Sequence, residues 1–251
     1  MENAYVINLK SSNDRWLTIQ KSFEGTGISL TRIDPIEVEG DYTKQRRAMQ
    51  SLSMTFVSLI KMAKEKNLPD ILIFEDDCKP APNFSKNWTT TKSWLQSNHD
   101  KWEIFSGGSL GILEPRIVGN QDNSTFFRPK ETWCSHFIYV HKDAYDTIIE
   151  TYTRELETND VTSTDTTNNK LKLIISYPFL AYQDTMKSTI TGKNIENLIH
   201  MFQEEETKLG NTWYWQFGGL FFLLAICIFI LWMIRYKYLK WLYRSFFRNR
   251  Y

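Results

Sequence analysis

Apolar and polar positions change period several times along the chain, and the changes divide it into strands, helices and one long apolar run. Residues 4–9 (AYVINL) form a short apolar block closed by polar SSND, the pattern of a strand buried on both faces. Ser12 or Asn13 is placed to cap a helix over DRWLTIQKSFEG, which Gly25 or Gly27 ends. ISLTRIDPI reads as a second strand, broken at Asp34-Pro35. Between Thr43 and Asn67, Leu52, Phe56, Leu59, Ile60 and Ala63 recur at helical spacing, and Asn67-Leu68-Pro69 closes that helix. ILIF (71–74) is a third strand, NFSKNWTTTKSWLQSNH a further helix, and WEIFSGG a fourth strand ending in glycines. SHFIYVH alternates as a strand, KDAYDTIIETYTREL returns to helix, and polar TNDVTSTDTTNN loops into apolar LKLIISYPFL. This alternation over residues 4–200 predicts an α/β domain with a mainly parallel sheet.

The last apolar run is of another kind. WYWQFGGLFFLLAICIFILWMI, residues 213–234, holds 22 residues without a charge. A helix of that length spans about 33 Å, enough to cross a hydrocarbon core. Trp213, Tyr214 and Trp215 at one end, and Trp232 and Tyr236 at the other, are placed as interfacial anchors. We expect one C-terminal transmembrane helix at 213–234. A connector over 196–212, juxtamembrane or a last amphipathic helix, precedes it, and a basic tail at 235–251 follows.

Charge changes the picture only through its distribution. The chain carries 30 basic and 29 acidic side chains, but the tail holds Arg235, Lys237, Lys240, Arg244, Arg248 and Arg250 and no acid. The remainder therefore has 24 basic against 29 acidic residues, which argues against a nucleic-acid partner for the body. The basic tail favours a cytoplasmic C-terminus by the positive-inside rule. The N-terminus starts at once on strand-like residues with no apolar leader, so the expected arrangement is a tail anchor with a cytosolic body. A lumenal body is the alternative, and the acidic QEEETKLGN flank sharpens the conflict. Cys78, Cys134 and Cys227 form no CxxC and fit a reducing compartment. The N-x-S/T sequons at Asn83, Asn87 and Asn123 carry little weight in a chain this rich in Asn, Ser and Thr.

Candidate chemistry gathers where strands end. In open α/β sheets ligands bind beyond the carboxyl ends of the strands. Asn8 to Arg15, Glu75-Asp76-Asp77 and Ser106-Gly107-Gly108 all stand at that edge. The three adjacent acids need either a cation or solvent. Hard oxygen ligands suit Mg²⁺ or Mn²⁺, which take one or two carboxylates plus substrate phosphates. On an extended backbone Glu75 and Asp77 share one side and Asp76 points away, toward a sugar hydroxyl or a capping donor. A solvated turn before Lys79-Pro80 fits the same pattern, and the residues alone leave the two readings level.

Four stretches in order carry a resemblance: YVINLKSSNDRW, ILIFEDDCKPAPNF, TWCSHFIYVHKDAYDTII and YPFLAYQDTMKSTI. In them the chain resembles glycosyltransferase family 25, which includes lipooligosaccharide and procollagen galactosyltransferases. The likeness runs from residue 4 to about 192 and identifies 1–195 as a catalytic domain. It implies a GT-A, Rossmann-like nucleotide-sugar-binding fold, a UDP-sugar donor with Mn²⁺ or Mg²⁺, and transfer of a hexose, galactose or glucose. The acceptor is then a hydroxyl on a glycan, lipid or protein. The acids become a D-x-D-like site, with Asp77 as metal ligand, Glu75 shared between metal and ribose, and Asp76 beside the donor. Asn8 and Leu9 of the opening strand and Gln183 and Ser188 of the closing block stand with them. Arg15 either contacts phosphate or is a surface residue of the first helix. Asp165 is a candidate general base or a solvated loop acid. His136 is a candidate base or third metal ligand, or a core histidine. One departure stands out: the family's Leu-Ser-His reads Leu52-Ser53-Met54 here. The competing classes are an inactive relative acting as a tethered binding module, whose acids are a vestige or a calcium site, and a structural membrane protein.

Overall fold

The computed structural model describes residues 2–40, 42–133, 136–158 (backbone alone for 154–158) and 171–184, with positions 203, 204, 206, 207, 209, 210, 228, 231 and 233. The chain forms two compact units, Met1–Gly210 and Asn211–Tyr251.

Strands β1 (Glu2–Ile7), β2 (Ile28–Ile33) and β3 (Asp70–Glu75) lie in the order β2-β1-β3, all parallel. Beyond β3 comes β10 (Phe137–His141), antiparallel both to it and to β5 (Ile104–Ser106). Next is β11 (Leu173–Tyr177), parallel to β5, and then the antiparallel hairpin of β8 (Ser124–Arg128) and β7 (Arg116–Gln121). The sheet is mostly parallel in strand direction, as expected, although the reversed strands make four of its seven pairings antiparallel and three parallel. Six strands still point one way, with β10 and β8 reversed. The physical reason is the connection: no helix intervenes between β5 and β10, and neighbouring strands joined without a crossover pair antiparallel.

The helices are α1 (Asn13–Ser22), α2 (Lys44–Glu65), α3 (Phe84–Ser97) and α4 (Tyr145–Thr158), close to the expected spans. Alternation along β3 feeds two cores. Ile71 and Ile73 join Leu59, Ile60 and Ala63 of α2 and Ile148 of α4 on one face. Leu72 and Phe74 join Ile19 of α1, Phe23 just after it, and Phe84, Trp88 and Leu95 of α3 on the other. A strand apolar at every position is the mark of burial on both sides.

Two short ribbons add to the expected elements. β4 (Cys78–Pro80) pairs with β12 (Ala181–Gln183), and β6 (Gly111–Leu113) with β9 (Glu131–Trp133). β4 follows β3, β12 follows β11 and β6 follows β5, while β9 leads into the reversed β10. Both ribbons therefore rise from the carboxyl edge of the sheet.

Residues 203, 204, 206, 207, 209 and 210 of the expected connector are described and belong to the first unit. Leu209 is fully buried, and the Glu206 carboxylate accepts from the Phe179 backbone N–H at 2.6 Å and the Tyr182 hydroxyl at 2.8 Å. Glu206→Ala removes both acceptors and is expected to cost about 1–3 kcal/mol. Urea unfolding measures it, and an unchanged midpoint would remove Glu206 from the framework. The expected membrane-spanning segment 213–234 lies outside the described residues apart from Ile228, Leu231 and Met233, which are helical and exposed. Among the described residues no helix is long and apolar enough to cross a membrane.

Candidate active site

The order β2-β1-β3 makes the edge between β1 and β3 a topological switch point, because the chain leaves β1 toward one neighbour and returns on the other side. The loop after β1 carries Asn8, the first turn of α1 carries Arg15, and β3 ends at Glu75. Asp76 and Asp77 form a turn into β4. The turn ends the strand's alternation, so Asp76 does not point away from Asp77 as an extended backbone requires. Both carboxylates instead meet one guanidinium.

Arg15 Nε donates to Asp76 Oδ1 at 2.8 Å, and Arg15 Nη2 pairs with the same oxygen and with Asp77 Oδ2 at 3.2 Å. Asn8 Nδ2 donates to Asp76 Oδ2 at 2.6 Å. Arg15, Asp76 and Asp77 are all buried, at 6%, 9% and 7% exposure, which rules out the solvated-turn reading of the acids and the surface reading of Arg15. Burial pushes the Asp76 carboxyl above its ordinary value, while the Arg15 and Asn8 donors pull it back. Burial also opposes the charge on Arg15, but Asp76 and Asp77 outweigh it and hold the guanidinium above its ordinary value. With N–H donors on both oxygens, Asp76 is a carboxylate, and the cluster is two acids on one cation.

Asp77 is held from a second direction. Gln183 Nε2, on β12, donates to Asp77 Oδ2 at 2.9 Å, and the Asp184 N–H donates to the Asp77 carbonyl at 2.7 Å. Asp77 Oδ1 is buried with no hydrogen-bond partner among the described residues, as is Asn8 Oδ1. A buried acceptor left open in this way is costly unless a ligand completes it. Leu9, Arg15, Glu75, Asp76, Asp77 and Gln183 line a pocket of about 110 Å³, closed by Ser51 and Leu52 of α2. Small-molecule sites commonly reach several hundred Å³, so this pocket holds only the charged centre of such a ligand.

The remaining candidates separate. Asn8 Nδ2 is engaged by Asp76 and by the Ser12 carbonyl, so its amide orients an acid from behind the pocket. Leu9 is exposed at the pocket's mouth. Asp165 and Ser188 lie outside the described residues. Met54, at the place of the missing histidine, lines a separate cleft of about 660 Å³ with Glu37, Tyr42, Gln50 and Lys61. The Leu-Ser-Met departure therefore removes no group from the acid pocket. Residues absent from the sequence reading include Tyr182 and Glu206. The pairing of β4 with β12 that brings Gln183 to Asp77, 106 residues away, has no local signal.

His136 is fully buried, with its ring bonded to the Ala181 backbone and its carbonyl accepting from the Glu75 N–H at 3.0 Å. A Cβ at Gly108 would sit 3.2 Å from its Nε2 and inside the Ala181 carbonyl, so the glycine admits this packing. The histidine braces the site from beneath, which fits the core reading and not that of a base open to an acceptor. Burial lowers its pKa from 6.5 to about 4. Above pH 6.5 both folded and unfolded forms are neutral there. As pH falls from 6.5 toward 4 only the unfolded chain gains the proton, and stability drops by about 3 kcal/mol. Urea unfolding between pH 7 and 4 should show this slope, and His136→Gln should flatten it. An equal slope in both proteins would contradict the assignment.

The chain matches no protein-family model and no curated protein sequence. Among solved structures it is similar to a glycosyltransferase involved in the glycosylation of the major capsid of PBCV-1, at 11% identity and TM-score 0.36, over 61% of this chain and 65% of that one. It is also similar to apo-UDP-glucose pyrophosphorylase, at 11% identity and TM-score 0.38, over 82% of each chain. A third is mannose-1-phosphate geranyltransferase from Thermus thermophilus, at 7% identity and TM-score 0.37, over 69% of this chain and 72% of that one. The chain spans less than two thirds of the length of the first. Overlaps at this level carry no argument about its chemistry, which rests on its own residues.

Proposed function

We propose that this chain is a metal-assisted glycosyltransferase, moving a hexose (galactose or glucose) from a UDP-sugar to a hydroxyl on a glycan, lipid or protein. The observation that carries the reading is Asp77 Oδ1, buried and without a partner among the described residues, in a pocket shared with Glu75 at the β1–β3 switch point. Asp77 and Glu75 would hold Mn²⁺ or Mg²⁺. Among the described residues no three His, Cys, Asp or Glu side chains are grouped to hold a metal by themselves. That suits a hard cation, which takes one or two carboxylates and completes its shell with phosphate and water. When bound, the ion supplies charge neutralisation for the departing diphosphate. The chain's own part is preorganisation: Arg15 and Gln183 occupy Asp77 Oδ2 and so keep Oδ1 available. The body is tethered by 213–234 and faces the cytosol in this proposal.

Release of free hexose from UDP-galactose and UDP-glucose tests the reading. It should need Mn²⁺ or Mg²⁺ and stop with EDTA; turnover indifferent to metal would overturn it. Arg15 favours one second reading, since its guanidinium already offsets part of the acids' charge: a binding module without turnover. That reading predicts UDP binding with no metal requirement and no hydrolysis.

A further inference from the structure

Gln183 reaches Asp77 from a strand too short to hold its own register. β4 and β12 have three residues each, and a two-stranded ribbon of that size is marginal in water. The polar groups around the ribbon therefore decide where Gln183 sits. The Leu180 and Ala181 N–H groups both donate to the Gly107 carbonyl, at 2.7 and 3.1 Å, and the Asp184 N–H donates to the Asp77 carbonyl at 2.7 Å. A further anchor comes from 24 residues beyond Tyr182. The Glu206 carboxylate takes the Phe179 N–H on Oε1 at 2.6 Å and the Tyr182 hydroxyl on Oε2 at 2.8 Å. Burial raises the pKa of that hydroxyl and Glu206 raises it further, so it stays a donor. Glu206 is itself seated. Leu209 is buried in the core that holds Ile175 and Phe179, and a Cβ at Gly210 would lie 2.9 Å from Cζ of the Tyr177 ring.

These contacts form one chain from Glu206 to the acids. Tyr182 immediately precedes Gln183, and successive side chains of a strand leave opposite faces, so a hold on Tyr182 sets how Gln183 is presented. Gln183 Nε2 then donates to Asp77 Oδ2 at 2.9 Å, while Asp77 Oδ1 is left open among the described residues. We propose that Glu206 is a positioning residue for the acid site: through Tyr182 it keeps Gln183 on Asp77 Oδ2, and so keeps Oδ1 turned to the ligand. Arg15 holds the same Oδ2 at 3.2 Å, so loss of Glu206 loosens the carboxylate without releasing it. The placement of Gln183 rests on these contacts alone, and its consequence for the cation rests on the transferase reading. A carboxylate that only stabilised the fold would lower the unfolding midpoint and leave Gln183 where it is.

Two readouts on full-length protein, well below its unfolding midpoint, test this. One is the NMR resonances of the Gln183 side-chain amide, identified by their loss in Gln183→Ala. The other is calorimetric affinity for UDP at a fixed excess of Mn²⁺, against EDTA. Glu206→Ala should shift the Gln183 resonances, speed their exchange with water and weaken Mn²⁺-dependent UDP binding roughly tenfold, as loss of a group that orients a metal ligand does. Tyr182→Phe should act the same way more weakly, and it reads the effect where Glu206→Ala is too unstable. Glu206→Gln should recover most of both, because its oxygen accepts from Phe179 and its amide donates to the Tyr182 oxygen. Ile148→Val, a core change in α4, lowers stability and should move neither. Gln183 resonances unmoved in Glu206→Ala and Tyr182→Phe, or moved equally by Ile148→Val, overturn the proposal. So does a Gln183 shift that leaves Mn²⁺-dependent UDP affinity unchanged. A Gln183 shift in protein whose wild type shows no Mn²⁺-dependent UDP binding keeps the hold of Glu206 on Gln183 and overturns the metal reading instead.

Discussion

Asp77→Asn is expected to lower metal-dependent turnover of a UDP-sugar by roughly 10²- to 10³-fold while leaving the fold intact. The amide keeps an oxygen for Gln183, so the β4–β12 ribbon retains its 2.9 Å contact. What is lost is the anionic Oδ1, buried with no partner among the described residues, on which the cation would rest. Asp76→Asn provides the contrast. Both Asp76 oxygens are occupied by Arg15 and Asn8, so its loss should appear mainly in stability. Metal titrations of hydrolysis on the two variants separate these outcomes. If Asp77→Asn keeps wild-type rates and metal affinity, the acids have no part in turnover.

Arg15→Ala is expected to be the most destabilising substitution at the site, by about 3–5 kcal/mol, because it strands two buried carboxylates without their cation. Arg15→Lys restores a charge but not the fork that reaches Asp76 through Nε and Nη2 together, so it should recover only part. Adding Asp76→Asn to Arg15→Ala should relieve part of the penalty, since the two groups are coupled directly. Urea unfolding of the four proteins reads these differences. An Arg15→Ala protein within about 0.5 kcal/mol of wild type would mean that the ion pairs contribute nothing net.

Much of this arrangement is legible in the sequence where the signal is local. The apolar run ILIF announces a strand buried on both faces, and Leu59, Ile60 and Ala63 announce the helix that covers it. The acids following that strand, and Arg15 one turn into the first helix, are legible as an edge cluster. Their division of labour is not, because it depends on the turn that starts at Asp76 and on a guanidinium 61 residues away. The contact of Gln183 with Asp77 depends on a three-residue ribbon too short to show a period. The hairpin of β7 and β8 is different, since it carries a local turn signal at Asp122-Asn123, with Asp122 at φ 50°. Met54 shows the reverse error: a departure from a family pattern looks like a lost catalytic group, yet the position faces another cleft.

The central claim is that Asp77 brings a divalent cation and a donor diphosphate together at the β1–β3 edge. Crystals of the protein grown with UDP and Mn²⁺, measured at the manganese edge, test it most directly. One anomalous peak is expected about 2.1 Å from an Asp77 carboxylate oxygen, with the diphosphate on its other side. UDP bound without a peak at Asp77, or bound in the cleft beside Met54 and Tyr42, would contradict it.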